Sequence, residues 1–352
     1  MLKEIHEEPD VIRTILETML DKTEDVSKEL TEKNMAYIIG SGSSYFEAVA
    51  GEKIIEALVK IPAEPIWPDE FAYCPPPPLC APFVVAISRS GETTDVIDAV
   101  DVASKKGMDV IGITCTPRSK LALKAKMTLI PPACYEKSIV VTKTYTAHVL
   151  LQYLLAISLA KEKENIAKHE ASSLLTELRS LPEIVKSFLS REEKKVKRIA
   201  AVYNDSSTFF ILGSGTLYSV ALEGALKIGE TSYVPSFGFT VPAFLHGPVS
   251  LVEEKRPVIF LFPPRHSEVW QKAIKVAQRV RNLGGSLIGI ATKEEEKEVS
   301  TLCDETITLP QGVSEVFAPL IYVTPLQVLA YYVSIEKGLN PDAPRHLTWH
   351  VK

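Results

Sequence analysis

A segment of the chain occurs twice. Ile38-Ile39-Gly40-Ser41-Gly42-Ser43-Ser44-Tyr45 recurs as Ile211-Leu212-Gly213-Ser214-Gly215-Thr216-Leu217-Tyr218, 173 residues on. Ala48 and Gly51 continue the match at Ala221 and Gly224. Further along, Val110-Ile111-Gly112-Ile113 echoes Leu287-Ile288-Gly289-Ile290, a separation of 177. Two aligned pairs at nearly one period point to a duplicated architecture rather than coincidence.

Each half reads as strand, glycine turn, helix, strand, helix, strand. In the first half these are residues 36–39, 51–58, 83–87, 96–106 and 110–114, with a short strand at 128–131. In the second they are residues 208–212, 220–228, 258–262, 269–283, 287–291 and 305–309. Near-continuous apolar strands alternating with helices predict an α/β fold, with parallel sheets covered on both faces. Ligands of such sheets bind beyond the carboxyl ends of the strands.

The apolar stretch 141–160 predicts a helix packed between the halves, and the charged stretch 164–195 a solvated helical link. A last apolar helix is expected over 325–337, capped by Thr324 with Pro325 in its first position, where the missing N–H is harmless. Pro75 to Pro78 read as a rigid spacer.

At 352 residues the chain has room for two domains, and 24% charged residues suit a globular protein. A net charge of −5 speaks against a nucleic-acid groove. The acidic N-terminus lacks a signal core, and no run is expected to span a membrane, so the chain reads as cytoplasmic. The five cysteines, Cys74, Cys80, Cys115, Cys134 and Cys303, are scattered without a CxxC pair. Neither a disulfide frame nor a zinc site is therefore expected. The histidines other than His246 form no metal-ligand pattern, and no metal or cofactor is called for.

The loop Ser88-Arg89-Ser90-Gly91-Glu92-Thr93-Thr94-Asp95 follows the apolar run ending at Ile87. It offers four hydroxyls where a strand hands over to a helix, whose N-terminus carries unpaired N–H donors and partial positive charge. A phosphate fits there. A plain strand-to-helix turn with a hydroxyl cap is the alternative. The second half has Pro263-Pro264-Arg265-His266-Ser267-Glu268 instead. Its prolines remove two amide donors, so only the first half is equipped for phosphate.

Glu223, Lys227 and Glu230 fall on one face of the helix after Gly215. A surface ion-pair stripe is the plain alternative. The first half has Ala50, Ile54 and Ala57 at these positions, so an apolar face in one copy is charged in the other. His246, before Gly247-Pro248, is held in a turn that suits a positioned acid or base.

On these motifs the chain resembles the sugar isomerase (SIS) family, within it the isomerase half of the glutamine–fructose-6-phosphate aminotransferases and stand-alone glucosamine-6-phosphate deaminases. The similarity runs from Lys3-Glu4-Ile5 through the Ser-x-Ser-Gly-Glu-Thr loop, residues 221–227 and His246-Gly247-Pro248 to Pro344-Arg345-His346-Leu347. It implies two tandem SIS subdomains, each a flavodoxin-like parallel sheet flanked by helices. The expected division is a helical segment at 1–30, a first subdomain with the phosphate loop at 31–163 and a helical linker at 164–197. A second subdomain with the catalytic helix follows at 198–337, and a tail at 338–352.

Carried over by position, the resemblance assigns Ser88, Arg89, Ser90 and Thr93 to phosphate, and Ser43 and Ser44 to the sugar. Glu230 matches the base that moves a proton between carbons 1 and 2. His246 matches the ring-opening histidine, supplied in the family by the partner subunit, which implies a homodimer. Lys227 and Glu223 match residues that orient this machinery.

The departures are specific. The family's glutaminase half has no counterpart, so glutamine is not the expected nitrogen source unless another chain supplies ammonia. Pro242-Ala243-Phe244-Leu245 stands where the family has Gly-Glu-Leu-Lys. Val141 replaces a sugar-contacting serine, and Trp349 a C-terminal lysine, with Lys352 a second candidate for that lysine's place. Trp349 is expected either to stack on the sugar or to close an apolar lid. The implied substrate is a small hexose or amino-hexose 6-phosphate. The implied reaction is glucosamine-6-phosphate deamination and isomerisation to fructose 6-phosphate and ammonia. A deglycase acting on a ketose-amine 6-phosphate and a non-catalytic sugar-phosphate sensor are the alternatives.

Overall fold

A computed structural model describes residues 1–349 apart from Leu79 and Val313. It divides into two compact units. One comprises residues 7–136, 143–182 and 347–352, called here the first unit; the other comprises residues 1–6, 137–142 and 183–346.

The first unit holds a parallel sheet of β1 (Met35–Gly40), β2 (Ala63–Ile66), β3 (Pro82–Ile87), β4 (Asp109–Ile113) and β5 (Met127–Leu129) in the order β2-β1-β3-β4-β5. The second holds β6 (Phe209–Leu212), β7 (Ser236–Phe239), β8 (Val258–Leu261), β9 (Leu287–Thr292) and β10 (Glu305–Leu309) in the order β7-β6-β8-β9-β10. Read along the chain, both sheets have the strand order 2-1-3-4-5, the doubly wound order of flavodoxin-like folds. The duplicated sequence has thus built the same sheet twice.

Each sheet is covered on both faces, as its apolar strands require. In the first unit Tyr37, Ile39, Val84, Ala86 and Val110 pack with Phe71 and with Val96, Ile97 and Val100 of the Thr94–Lys105 helix. The intervening residues turn to the other face, where the Ser43–Leu58 helix lies against β1. In the second unit Phe210, Leu212, Val258 and Phe260 pack on Trp270, Ala273 and Ala277 of the Trp270–Asn282 helix.

A buried helix backs each glycine-turn helix, and a glycine admits it. A β-carbon added at Gly51 would come 2.0 Å from Gln152 Oε1, on the Lys143–Glu162 helix. One added at Gly224 would come 2.4 Å from Leu326 Cδ1, on the Ala318–Glu336 helix. The Lys143–Glu162 helix is buried from Lys143 to Ala160 and packs on the Glu8–Thr18, Leu20–Lys28 and Ser43–Leu58 helices of its own unit. Thr146 donates to Glu8 at 3.2 Å, and the Gln152 amide donates to the Glu47 carbonyl at 3.1 Å.

Several expectations change. Strands β2 and β7 were not anticipated: both are four-residue edge strands, and polar or glycine residues interrupt their apolar signal. The last helix starts at Ala318, with Pro319 in its first turn and Pro325 inside it, not at a Thr324 cap. Burial on all sides offsets the one backbone bond that Pro325 cannot make to Ile321. The stretch Glu315–Glu336 is also long and apolar enough to cross a membrane, contrary to expectation, but it is mostly buried and serves as a core helix. Finally, Cys115 and Cys134 form a disulfide, where no disulfide was anticipated. The chain between them folds through β5 and brings their Cα atoms to 5.8 Å, a proximity that spacing alone does not reveal.

Candidate active site

Gly40 at the end of β1 is paired in register with Ile87 at the end of β3. From β1 the chain crosses to one side, to β2, and from β3 to the other, to β4. The two strand ends therefore frame the switch point where such sheets bind ligands. Ser43 and Ser44, both buried, open the helix after β1. Ser88 to Thr93 follow β3. The structure brings these residues to one edge of one sheet.

The loop is held by its own polar groups. Ser88 N–H donates to Ile113 O at 3.0 Å, and Ser88 Oγ lies 3.0 Å from Thr93 Oγ1. Gly91 N–H donates to Ser88 Oγ at 3.1 Å and Glu92 N–H to Ser90 Oγ at 3.2 Å. Gly91 has φ 65°, and a β-carbon there would lie 2.1 Å from Ser119 Oγ, so no other residue fits this turn. Thr93 precedes the Thr94–Lys105 helix without a side-chain cap bond. The first i to i−4 bond of that helix runs from Ile97 to Thr93, which leaves the amides ahead of Ile97 as donors at the helix end.

Arg89 is fixed at both ends. Its carbonyl accepts from Cys115 N–H at 3.1 Å and from the hydroxyls of Thr114 and Thr116 at 3.2 and 3.3 Å. Its guanidinium lies over the Trp349 ring, 4.1 Å from the centroid, and Nη2 donates to Trp349 O at 3.3 Å. The buried Glu136 carboxylate is 3.7 Å from Nη1. Trp349 in turn stacks on Tyr135 at 5.6 Å between centroids. So Trp349 packs on Arg89 and Tyr135; Lys352 lies outside the described residues.

In the second unit the glycine turn repeats the first, with Gly215 at φ 61° like Gly42. The Leu217–Ser232 helix then carries Glu223, Lys227 and Glu230 on one face. Glu223 and Lys227 are fully buried, so this is not a solvated stripe. Lys227 Nζ lies 2.7 Å from Glu230 Oε2 and 3.4 Å from Glu223 Oε1. Burial lowers the Lys227 value, but Glu223 and Glu230 outweigh it and hold the ammonium above its ordinary value. Glu230 keeps 21% of its side chain exposed, the one member of the set open to a ligand. It sits in the last turn, about 20 Å along the axis from Leu217, away from its own unit's glycine turn.

His246 is exposed on a turn after the short 3-10 segment Ala243–Leu245, next to Gly247 at φ 132°. Val141 is half-buried before the Lys143–Glu162 helix and offers no hydrogen-bonding side chain.

A protein-family model described as the SIS domain matches residues 29–158 and again 203–337. The chain belongs to the SIS-domain family. Among relatives of this SIS-domain chain, the glutamine–fructose-6-phosphate aminotransferase (isomerizing) of Gloeobacter violaceus is 35% identical over 353 residues, covering 99% of this chain and 57% of that protein. The protein of the same name from Methanothermobacter thermautotrophicus is 33% identical over 347 residues, covering 99% and 56%. The chain thus spans little more than half the length of these curated relatives.

Among solved structures, the C-terminal domain of glucosamine-fructose-6-phosphate aminotransferase from Francisella tularensis matches with a TM-score of 0.91 at 27% identity over 98% of both chains. Glucosamine-6-phosphate deaminase from Thermotoga maritima matches at 0.73 and 25%, covering 99% of this chain and 98% of that one.

Sequence reasoning missed several residues at this SIS switch point. Thr114, Thr116, Tyr135 and Glu136 all bear on Arg89 or Trp349, yet they come from loops that no motif marks. Glu47 and His148, both buried, meet at 2.9 Å. A faint signal existed for Glu47: the duplicated helix has Val220 at that place.

Proposed function

We propose that the chain is a phosphosugar isomerase-type enzyme acting on a hexose or amino-hexose 6-phosphate. Within that class we favour glucosamine 6-phosphate, converted to fructose 6-phosphate and ammonia in the cytoplasm. The observation that carries the reading is the buried Glu223–Lys227–Glu230 set. A binding module has no use for a buried ammonium held between two carboxylates, one of them open to solvent.

In this reading the hydroxyls of Ser88, Ser90 and Thr93, the Arg89 guanidinium and the open amides at the start of the Thr94–Lys105 helix receive the phosphate, and Ser43 and Ser44 the sugar. Glu230 takes the proton from carbon 2 of the ring-opened amino-aldose and returns it to carbon 1. A second proton passes from the amino nitrogen to the carbon 1 oxygen, which leaves an imine at carbon 2; water adds to it, ammonia departs, and the ketose remains. Lys227 aims the Glu230 carboxylate through its 2.7 Å bond, and Glu223 fixes Lys227. The exposed turn of His246 supports a homodimer in which this imidazole opens the sugar ring in the partner's site.

The test is ammonia release from glucosamine 6-phosphate, with fructose 6-phosphate followed in the same tube. Both products should form, and Glu230→Gln should lower kcat about 10²–10⁴-fold while the sugar phosphate still binds. Binding without turnover in the unaltered protein would instead favour a sensor, a role to which the Trp349 substitution lends some support.

A further inference from the structure

The mechanism above leaves one cluster of reactive groups unused. Cys115 Sγ lies 3.4 Å from His148 Nε2, and His148 Nδ1 lies 2.9 Å from Glu47 Oε2. His148 and Glu47 are fully buried. A sulfur, an imidazole and an orienting carboxylate in this order form the arrangement that activates a thiol nucleophile. The partner sulfur is already in place, since Cys115 is bonded to Cys134. Cys115 is half-buried whereas Cys134 is 2% exposed, so an external thiol reaches Cys115 first.

We propose that Cys115 and Cys134 form a reversible thiol–disulfide site, with Cys115 as the reactive sulfur activated by His148 and Glu47, and that its reductant is a dithiol. In reduction, one thiolate of the dithiol attacks Cys115 Sγ. The Cys115–Cys134 bond breaks, and Cys134 leaves with the electron pair and takes up a proton. The second thiolate then attacks the external sulfur of the mixed disulfide. Cys115 leaves, the second proton released by the dithiol is taken up by the Cys115–His148 pair, and the dithiol departs oxidised. Two electrons and two protons pass to the protein. Oxidation by a small disulfide is the reverse, with Cys115 attacking and Cys134 resolving.

The bond joins the two segments that hold Arg89. Cys115 N–H binds the Arg89 carbonyl, while residues 135 and 136, directly after Cys134, stack on Trp349 and pair with the guanidinium. Opening the bond frees the 134–136 segment to move away from Arg89. The redox state thereby reaches the Arg89–Trp349 contact without any change in the loop hydroxyls.

The full chain is equilibrated with mixtures of reduced and oxidised dithiothreitol, alkylated, and read by peptide mass. Cys115 and Cys134 should convert together in the folded protein. A bond that never forms, or that opens only on unfolding, overturns the proposal. In reduced protein, His148→Gln should slow alkylation of Cys115 by iodoacetamide at neutral pH at least tenfold. Should that variant not fold, Glu47→Gln carries the same comparison with a smaller decrease. Equal rates overturn the role of the pair. Reduction should also shift the emission of Trp349, read against Trp349→Phe; unchanged emission refutes the link to Arg89.

Discussion

The Arg89 guanidinium lies flat over the Trp349 ring, and the same side chain donates to the Trp349 carbonyl. A residue of the loop after β3 is thereby joined to Trp349, 260 positions away. A cation over an indole is worth about 0.5–1 kcal/mol when partly exposed. Lysine keeps the charge but loses the planar stack. Arg89→Lys should therefore raise the quenching of Trp349 by acrylamide, measured against Trp349→Phe, with the fold unchanged. Equal quenching in the two proteins would mean that the stack holds nothing.

Lys227 is expected to dominate the local electrostatics of its helix. Lys227→Met leaves Glu223 as a buried carboxylate without its cation and should cost about 3–5 kcal/mol in urea unfolding. Adding Glu223→Gln should restore much of that. A double variant no more stable than the single one would contradict this account.

The pH dependence of the cluster has a definite sign. The Lys227 value is raised in the folded chain, so its contribution is complete below the ordinary lysine value of 10.5 and is lost as pH climbs through the higher folded value. Between pH 6 and 9 the stability difference between wild type and the Lys227→Met/Glu223→Gln variant should be flat. A steep slope in that range would assign the titration to another group.

The cysteines should react in classes. Cys74 and Cys80 are exposed, Cys303 is buried, and burial pushes the Cys303 thiol up to about 12. Ellman's reagent at pH 8 should thus titrate Cys74 and Cys80 in the oxidised native chain. Cys303 should follow on unfolding, and Cys115 and Cys134 only after reduction. Because Cys303 is held protonated, its contribution to stability should fall as pH rises above the ordinary thiol value of 9.0 toward about 12. Prompt labelling of Cys303 in the native chain would show that its packing is looser than described.

Gly224 and Leu326 should be energetically coupled. Gly224→Ala forces a methyl group against Leu326 and should cost about 1–3 kcal/mol, and Leu326→Ala about 2–5 kcal/mol. The double variant should cost less than the sum, because the smaller residue at 326 makes room for the methyl group. Strict additivity, read from chemical denaturation, would remove the contact from the account.

What the sequence disclosed follows from how far each signal travels along the chain. The repeated glycine turns and apolar runs are local, and they carried the two parallel sheets. The seryl loop and the Glu223–Lys227–Glu230 spacing are local too, and both lie where their patterns implied. Strands β2 and β7 were lost because four residues at a sheet edge leave no period to count. The extra turns of the last helix were hidden by Pro325, which reads as a start until burial on all sides is known. Glu136 and Tyr135 were silent because their partners, Arg89 and Trp349, lie far along the chain, and Cys134 because a separation of 19 from Cys115 does not show the fold between them. The burial of Glu223 and Lys227, which excludes a solvated stripe, depends on packing that no spacing encodes.

The Lys143–Glu162 helix is nearly apolar around its whole circumference, and such a cylinder is poor at choosing its own setting. Leucine against leucine is nearly indifferent to a slide of one turn, about 5.4 Å. The polar exceptions remove that indifference. Thr144 must meet the Cys134 carbonyl, Thr146 must meet Glu8, His148 must meet Glu47, and Gln152 must face Gly51. Any slipped arrangement would strand several of these groups at once in an apolar interior. The few hydrophilic side chains on this helix thus act as a combination lock: they add little to cohesion, yet they select one of many almost equally greasy alternatives.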